Sequence, residues 1–319
     1  MNTRMTVTEP STALQILDPR VAPVFAGASL RRLCTGAIWS EGPVWLPHDD
    51  SVLWSDIPNN RILRWSASEG MSVWREQVEF TNGHVLDNDG NLLHCSHGLR
   101  AIVRTPQVQG VVRADAIDEV VVREFNGRRL NSPNDVVVQK SNGCIWFSDP
   151  PYGILSDREG HKAPRELPTN HVFCYDPVAG ELHAASDFVQ EPNGLAFSPD
   201  ERLLYVSDTS AALSADGTGH HHIVVFDVKG HTLENPRVFA DISPGLPDGF
   251  RVDHCGWIYT SSEDSVQIFH PDGTLLGKIL VPEKVGNLTF GGARGDTLFI
   301  TASTSLYSIV LNTRGATRP

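Results

Sequence analysis

Six short polar residues, Glu41, Asn82, Asn134, Asn193, Asp248 and Asn287, open six similar segments of the chain. Fourteen positions after each stands a hydroxyl residue: Ser55, Ser96, Ser148, Ser207, Ser262 and Thr301. The first set offers two carboxylates and four carboxamides, all oxygen donors. Ca²⁺ takes roughly six to eight oxygens at about 2.3–2.6 Å, whereas zinc recruits His or Cys. Brought together, Glu41 and Asp248 would balance a dication, and amide oxygens would complete its shell. About three or four direct ligands are expected, with water or a substrate oxygen in the other places. Asn-Gly (82–83, 193–194) and Asp-Gly (248–249) are also ordinary turn dipeptides. Their common register, more than their residue types, favours a metal over a water-filled polar channel.

One step beyond the hydroxyls lie Asp56, His97, Asp149, Asp208, Glu263 and Ala302. Acids there could orient the Asn groups or form a second cation site. Equally, they could cap strand ends through side chain to backbone bonds. His97 is the histidine of that set, a substrate hydrogen bond or general base on one view and a satisfied structural residue on the other.

The elements that must position these groups read as short strands with Gly, Pro, Asn and Asp between them. Each unit has a polar opening residue, an apolar strand, a polar turn and a second apolar strand. A third strand follows in every unit (RILRWS, AIVR, HVFCYD, HIVVFD, SVQIFH, SLYSIV) and a fourth in the first five. This predicts an all-β, six-bladed propeller of four antiparallel strands per blade. The sixth unit ends near Leu311, so LRRLCTGAIW (30–39) is expected to supply its outer strand and close the ring. Residues 1–29 are then an N-terminal extension and 30–319 one propeller domain. First strands line a propeller's channel in one direction, so the six opening residues would meet at one mouth. The long segments 153–170 and 209–222 would partly cover it. Within the second, His220-His221-His222 reads as a solvated loop more than as a metal site.

Composition narrows the partners. With 38 acidic and 26 basic residues and a net charge of −12, no basic stripe is present to meet phosphates, which argues against nucleic acid and anionic membranes. No apolar run is long enough to span a bilayer, and the N-terminus lacks a secretory signal. The five cysteines form no CxxC pair and fall in strand-like runs, the pattern of buried free thiols in a reducing, cytoplasmic setting. Oligomeric state is left open.

The motifs SEGPVW (40–45), NSPNDVVV (131–138), FSDPPYG (147–153), EPNGLAFSPD (191–200) and LPDGF (246–250) resemble, in order and spacing, the gluconolactonase/regucalcin family, with DPPYG closer to bacterial gluconolactonases. The resemblance implies a six-bladed propeller, a divalent ion at one channel mouth and hydrolysis of sugar lactones to aldonic acids. Carried over by motif, it implies metal ligation by Glu41, Asn193 and Asp248. It places Asn134 on the substrate side, close enough to bind the ion as well. The family's substrate-contacting Arg falls on Ser132, so Asn131, Arg129 or Tyr152 would have to take over, with His97 a further substrate contact.

The expected chemistry is Lewis-acid polarisation of a lactone carbonyl, with Asp248 accepting a proton from the attacking water. Ca²⁺ suits the oxygens best; Mg²⁺, Mn²⁺ and Zn²⁺ are alternatives. No GxSxG nucleophile elbow is present. Rival functions are another metal-dependent esterase, lactonase or phosphotriesterase on this scaffold, and a non-catalytic Ca²⁺-binding propeller.

Overall fold

The computed structural model describes residues 13–215 and 218–316. Blade 1 comprises Ser40–Leu46, Ser51–Asp56, Arg61–Ser66 and Gly70–Glu76. Blade 2 has Thr81–Leu86, Leu92–Ser96, Ala101–Thr105 and Glu119–Val122; blade 3 has Val136–Val138, Ile145–Asp149, His171–Asp176 and Glu181–Ser186. Pro192–Phe197, Leu203–Asp208, His222–Lys229 and Thr232–Asp241 form blade 4. Phe250–Val252, Ile258–Ser261, Ser265–Phe269 and Leu275–Leu280 form blade 5, and Val285–Gly291, Thr297–Ala302 and Ser305–Val310 belong to blade 6. All pairings are antiparallel, and the first strand of each blade touches that of the next around the full circle.

Second strands such as SVLWSD and IWFSD are buried along their whole length, because neighbouring blades cover both faces. That explains near-continuous apolar runs in place of alternation. Outer strands such as Gly70–Glu76 are half exposed. Between blades the chain buries Trp54, Trp146, Phe147, Phe173 and Phe226 completely, each stabilising the ring by about 1.5–3 kcal/mol.

Arg31–Thr35 pairs with Ser305–Val310, Arg31 opposite Ser308 and Thr35 opposite Ser305, so the N-terminal strand closes blade 6 as the sequence predicts. The preceding segment also joins the ring. Leu14–Ile16 adds a fifth strand to blade 5, and Val21, Val24 and Phe25 pack into the core shared by blades 5 and 6.

The hydroxyl register has a structural cause. Ser55 Oγ donates to Asn82 O of the next blade at 2.8 Å, Ser148 Oγ to Asn193 O at 2.6 Å and Ser207 Oγ to Asp248 O at 2.9 Å. These bonds staple the second strand of one blade to the start of the next blade's first strand. Ser96 and Thr301 instead bond to Glu79 O and Asn287 O. In blade 5 the strand ends one residue earlier, so Ser261, not Ser262, meets the backbone N–H of Asp248.

The X-Gly dipeptides are not turns. A Cβ on Gly42 would lie 2.2 Å from Asn82 O, and one on Gly194 would lie 2.3 Å from Asp248 O. In blades 1, 2, 4 and 5 the central strands approach so closely that only glycine fits after the polar residue.

Candidate metal and substrate site

At one mouth of the channel lies a cavity of about 200 Å³ into which five of the six opening residues project: Glu41, Asn82, Asn134, Asn193 and Asp248. Asn287 is the exception. In blade 6 the glycine precedes the polar residue, as Gly286-Asn287, and Asn287 turns beneath the ring. Its Oδ1 accepts the Leu288 N–H at 2.8 Å, and its carboxamide fills the place a Cβ on Gly249 would need. Gly286 in turn leaves room for the Glu41 carboxylate, which would meet a Cβ there at 2.3 Å.

The carboxylates carry excess negative charge in a dry place. Glu41 Oε2 accepts the Gly42 N–H at 3.1 Å, while Oε1 is buried without a hydrogen-bond partner among the described residues. Burial pushes Glu41 well above the usual carboxylate range, and the nearby Asp248 charge pushes it further. Burial likewise raises Asp248 to about 7, against the pull of the Lys284 ammonium. Asp135 adds a third buried acid. It stands where blades 1, 2, 4 and 5 have glycine, with Arg251 at 3.6 Å and Oδ2 without a hydrogen bond. An orphaned buried oxygen between mutually repelling carboxylates, ringed by Asn amides, is what a hard divalent cation neutralises. The residues fit such an ion.

Around this floor stand the groups a substrate would touch. His97 lines the cavity; Nδ1 donates to Glu159 O at 2.8 Å, leaving Nε2 an acceptor 3.4 Å from Asn82 Nδ2. Burial lowers His97 to about 4, so the ring is neutral. Tyr152 also lines the cavity, its hydroxyl 2.5 Å from Thr209 Oγ1. Both long loops contribute to the wall, through Glu159 from blade 3 and Thr209 and Ala212 from blade 4, with Tyr152 immediately before the first of them.

Two residues predicted for the substrate stand elsewhere. Asn131 is fully buried beside the cavity wall, its N–H donating to Asp149 Oδ2 at 2.8 Å and its amide nitrogen to Asp149 O. Arg129 points along the surface, Nη2 donating to Leu99 O at 2.6 Å.

Lys284, Glu159, Trp39 and Asp135 escaped the sequence-based reading. Asp135 carried a visible signal, since it replaces the recurring glycine. Lys284, in the turn entering blade 6, carried none beyond lying two residues before Gly286. Three hollows are larger, an open one of about 560 Å³ beside Arg294 and Asn312 and two of about 380 and 310 Å³ that share Arg251, Val252 and Ala316, but no comparable cluster of carboxylates and amides lines them.

The model of the SMP-30/gluconolactonase/LRE-like region matches residues 39–304 of this chain. The chain belongs to that family. It is 33% identical to the gluconolactonase of Zymomonas mobilis over 301 residues, 87% of this chain and 80% of that protein. Its structure matches that of a gluconolactonase from Xanthomonas campestris with a TM-score of 0.86 and 38% identity, covering 96% of this chain and 97% of the other. The pentonolactonase of Haloferax volcanii is 28% identical over 269 residues, 82% of this chain and 81% of that protein.

Ser132, where the resemblance implied that a substrate-contacting Arg is replaced, is a brace. Its Oγ donates to Pro150 O at 2.6 Å and accepts the Gly153 N–H at 2.9 Å. The acids beyond the hydroxyl register clasp backbone. Asp56 accepts the Ile38 and Trp39 N–H groups, Asp149 that of Asn131, and Asp208 those of Gln190 and Glu191. All these donors lie two or three residues before Glu41, Asn134 and Asn193, so each clasp sets the approach of a ring residue. The histidine tract is solvated as predicted, His220 and His221 being exposed and His222 half-buried, but it is not without contacts: His220 Nδ1 lies 2.9 Å from Asp208 Oδ2, and its ring stacks on His222 at 4.6 Å. Cys95, Cys144 and Cys174 are buried free thiols, whereas Cys255 is exposed in a turn.

Proposed function

We propose that this family member hydrolyses a sugar lactone, glucono-1,5-lactone or a related aldonolactone, to the aldonic acid at a divalent cation held by Glu41, Asn134, Asn193 and Asp248. The observation that carries this is the partnerless Glu41 Oε1 facing Asp248 on the floor of a sugar-sized cavity. The gluconolactonases and pentonolactonase to which the chain is similar support the substrate class. Ca²⁺ is the ion these oxygens suit best.

When bound, the cation supplies Lewis-acid polarisation of the lactone carbonyl. Asp248 accepts the proton of the attacking water. Lys284, on the same rim, holds the negative charge of the aldonate as it forms. His97 Nε2 accepts a hydrogen bond from a sugar hydroxyl, and Tyr152 and Glu159 orient the ring from the blade 3 side. Trp39, Ile57 and Leu246 flank it with apolar surface. Among the described residues no helix is long and apolar enough to cross a membrane, and the free buried thiols favour a reducing compartment such as the cytoplasm.

A pH-stat panel of glucono-1,5-lactone, pentonolactones, aryl esters and an organophosphate, run with Ca²⁺ on purified protein, tests the assignment. Sugar lactones should be turned over with the highest kcat/KM. Faster cleavage of the aryl ester or the organophosphate would overturn it.

A further inference from the structure

Far from the cavity chemistry, where blade 3 faces blade 4, a second group of donor atoms converges. Cys144 precedes strand Ile145–Asp149, Cys174 lies in His171–Asp176, and His231 sits in the turn between His222–Lys229 and Thr232–Asp241. Their two sulfurs and an imidazole nitrogen lie within 4.8 Å of one another. The sheet explains why they share a face. Trp146 is the ladder partner of Cys174, and Cys144 stands two residues before Trp146, one period of a strand. Across the ladder Cys174 pairs with His183. The His183 ring stacks on His231 at 4.4 Å, and its Nε2 is buried with no hydrogen-bond partner among the described residues. On the other side of His231, Asp176 Oδ2 lies 3.5 Å from Nε2.

We propose that Cys144, Cys174 and His231, with His183 as fourth ligand, form a structural site for a soft divalent ion of the zinc type that pins blade 3 to blade 4. In tetrahedral sites with Zn–S of about 2.3 Å and Zn–N of about 2.0–2.1 Å, ligand atoms stand roughly 3.3–3.8 Å apart. Cys144, Cys174 and His231 already stand within 4.8 Å of one another, and His183, whose ring stacks on His231, would rotate out of that stack to supply the fourth nitrogen. Charge favours the same ion. Both thiols lose their protons to solvent on binding, and two thiolates cancel the dication, so the filled site is neutral within the apolar core around Trp146, Leu195 and Phe226. A hard oxygen-seeking cation such as Ca²⁺ is excluded by these donors. Asp176 is a positioning residue: it accepts from His231 Nε2 and leaves Nδ1 for the metal, the usual carboxylate–histidine arrangement. Four protein ligands leave no open coordination position, so the site is structural. The two blades it joins carry the loops that wall the lactone cavity.

Titration of Co²⁺ into reduced full-length protein, with Ca²⁺ in excess to occupy the channel mouth, tests this apart from any activity. One equivalent should produce thiolate-to-cobalt charge-transfer absorption and the strong visible bands of a four-coordinate ion, both bleached by Zn²⁺. Cys174→Ser should abolish them. His231→Ala, in a partly exposed turn and harmless to folding, should weaken binding at least tenfold, and Asp176→Asn by about 10–100-fold. Glu41→Gln should leave the spectrum unchanged. No charge-transfer band in the reduced wild type at stoichiometric cobalt, or a band that survives Cys174→Ser, overturns the site.

Discussion

Two sets of acids repeat around this propeller, and they do opposite work. Asp56 and Asp208, at the ends of second strands, accept two or more backbone or side-chain donors each, whereas Asp149 in the same place accepts the Asn131 N–H and keeps Oδ1 without a hydrogen-bond partner among the described residues. At the channel mouth Glu41 is buried and Asp248 half-buried, and Glu41 keeps Oε1 without a hydrogen-bond partner among the described residues. Burial raises both members of the inner pair. Asp208, though burial opposes it, is held below its usual value by His220 and the Ser210 N–H. Fully bonded carboxylates such as Asp56 and Asp208 belong to the fold; one left short of partners at the channel mouth is free to take a ligand.

The contrast is broken most sharply by paired substitutions. Glu41→Gln should lower kcat/KM for glucono-1,5-lactone by about 10³-fold, the scale of losing electrostatic stabilisation at a developing oxyanion, while metal-free thermal stability holds or rises. A variant of unchanged activity would place Glu41 with the structural acids. Asp208→Asn should do the reverse. It replaces a buried charged acceptor by an amide with half the accepting capacity, costing about 1–3 kcal/mol in denaturant unfolding with kcat within a few-fold of wild type.

The pH dependence should also separate Asp248 from Asp208, while Asp149, which burial raises to about 7, adds to the same slope as Asp248. A carboxyl with a raised folded-state pKa, such as Asp248 at about 7, stabilises the fold at low pH and loses that contribution as pH rises through 7. Chelated protein should therefore melt at lower temperature at pH 8 than at pH 6, and Asp248→Asn or added Ca²⁺ should flatten that slope. Asp208, with a lowered pKa, contributes above its unfolded value of about 3.9 and loses the contribution only as pH falls below it. Its substitution should leave the slope between pH 6 and 8 unaltered. The smallest effect is expected from Ser148→Ala, which removes one staple between blades 3 and 4 at about 1 kcal/mol. A larger fall in Ca²⁺ affinity than in stability would show that the staple positions Asn193 in particular.

Much of this was legible in the residues. The six-fold register is written in the chain because close-packed central strands demand glycine, a polar neighbour and a hydroxyl at fixed places, and ring closure followed from a missing outer strand. The site was legible where it obeys that register, at Glu41, Asn82, Asn134, Asn193 and Asp248. It was hidden where one residue breaks step. Asn287 shares the spacing but not the order of its glycine, and so lies outside the cavity against Glu41 and Asp135; in blade 5 Ser261 takes the place expected of Ser262. Residues that depend on loop paths, namely Lys284, Glu159, Arg129 and Asn131, lay beyond any periodic argument.

The central claim is that one divalent cation sits on the inner acids and that lactone turnover depends on it. The most direct test is glucono-1,5-lactone hydrolysis by chelated protein as Ca²⁺ is titrated back. Activity should be nearly absent at the start and should saturate with one bound equivalent per chain. Full turnover by the metal-stripped protein would contradict the account.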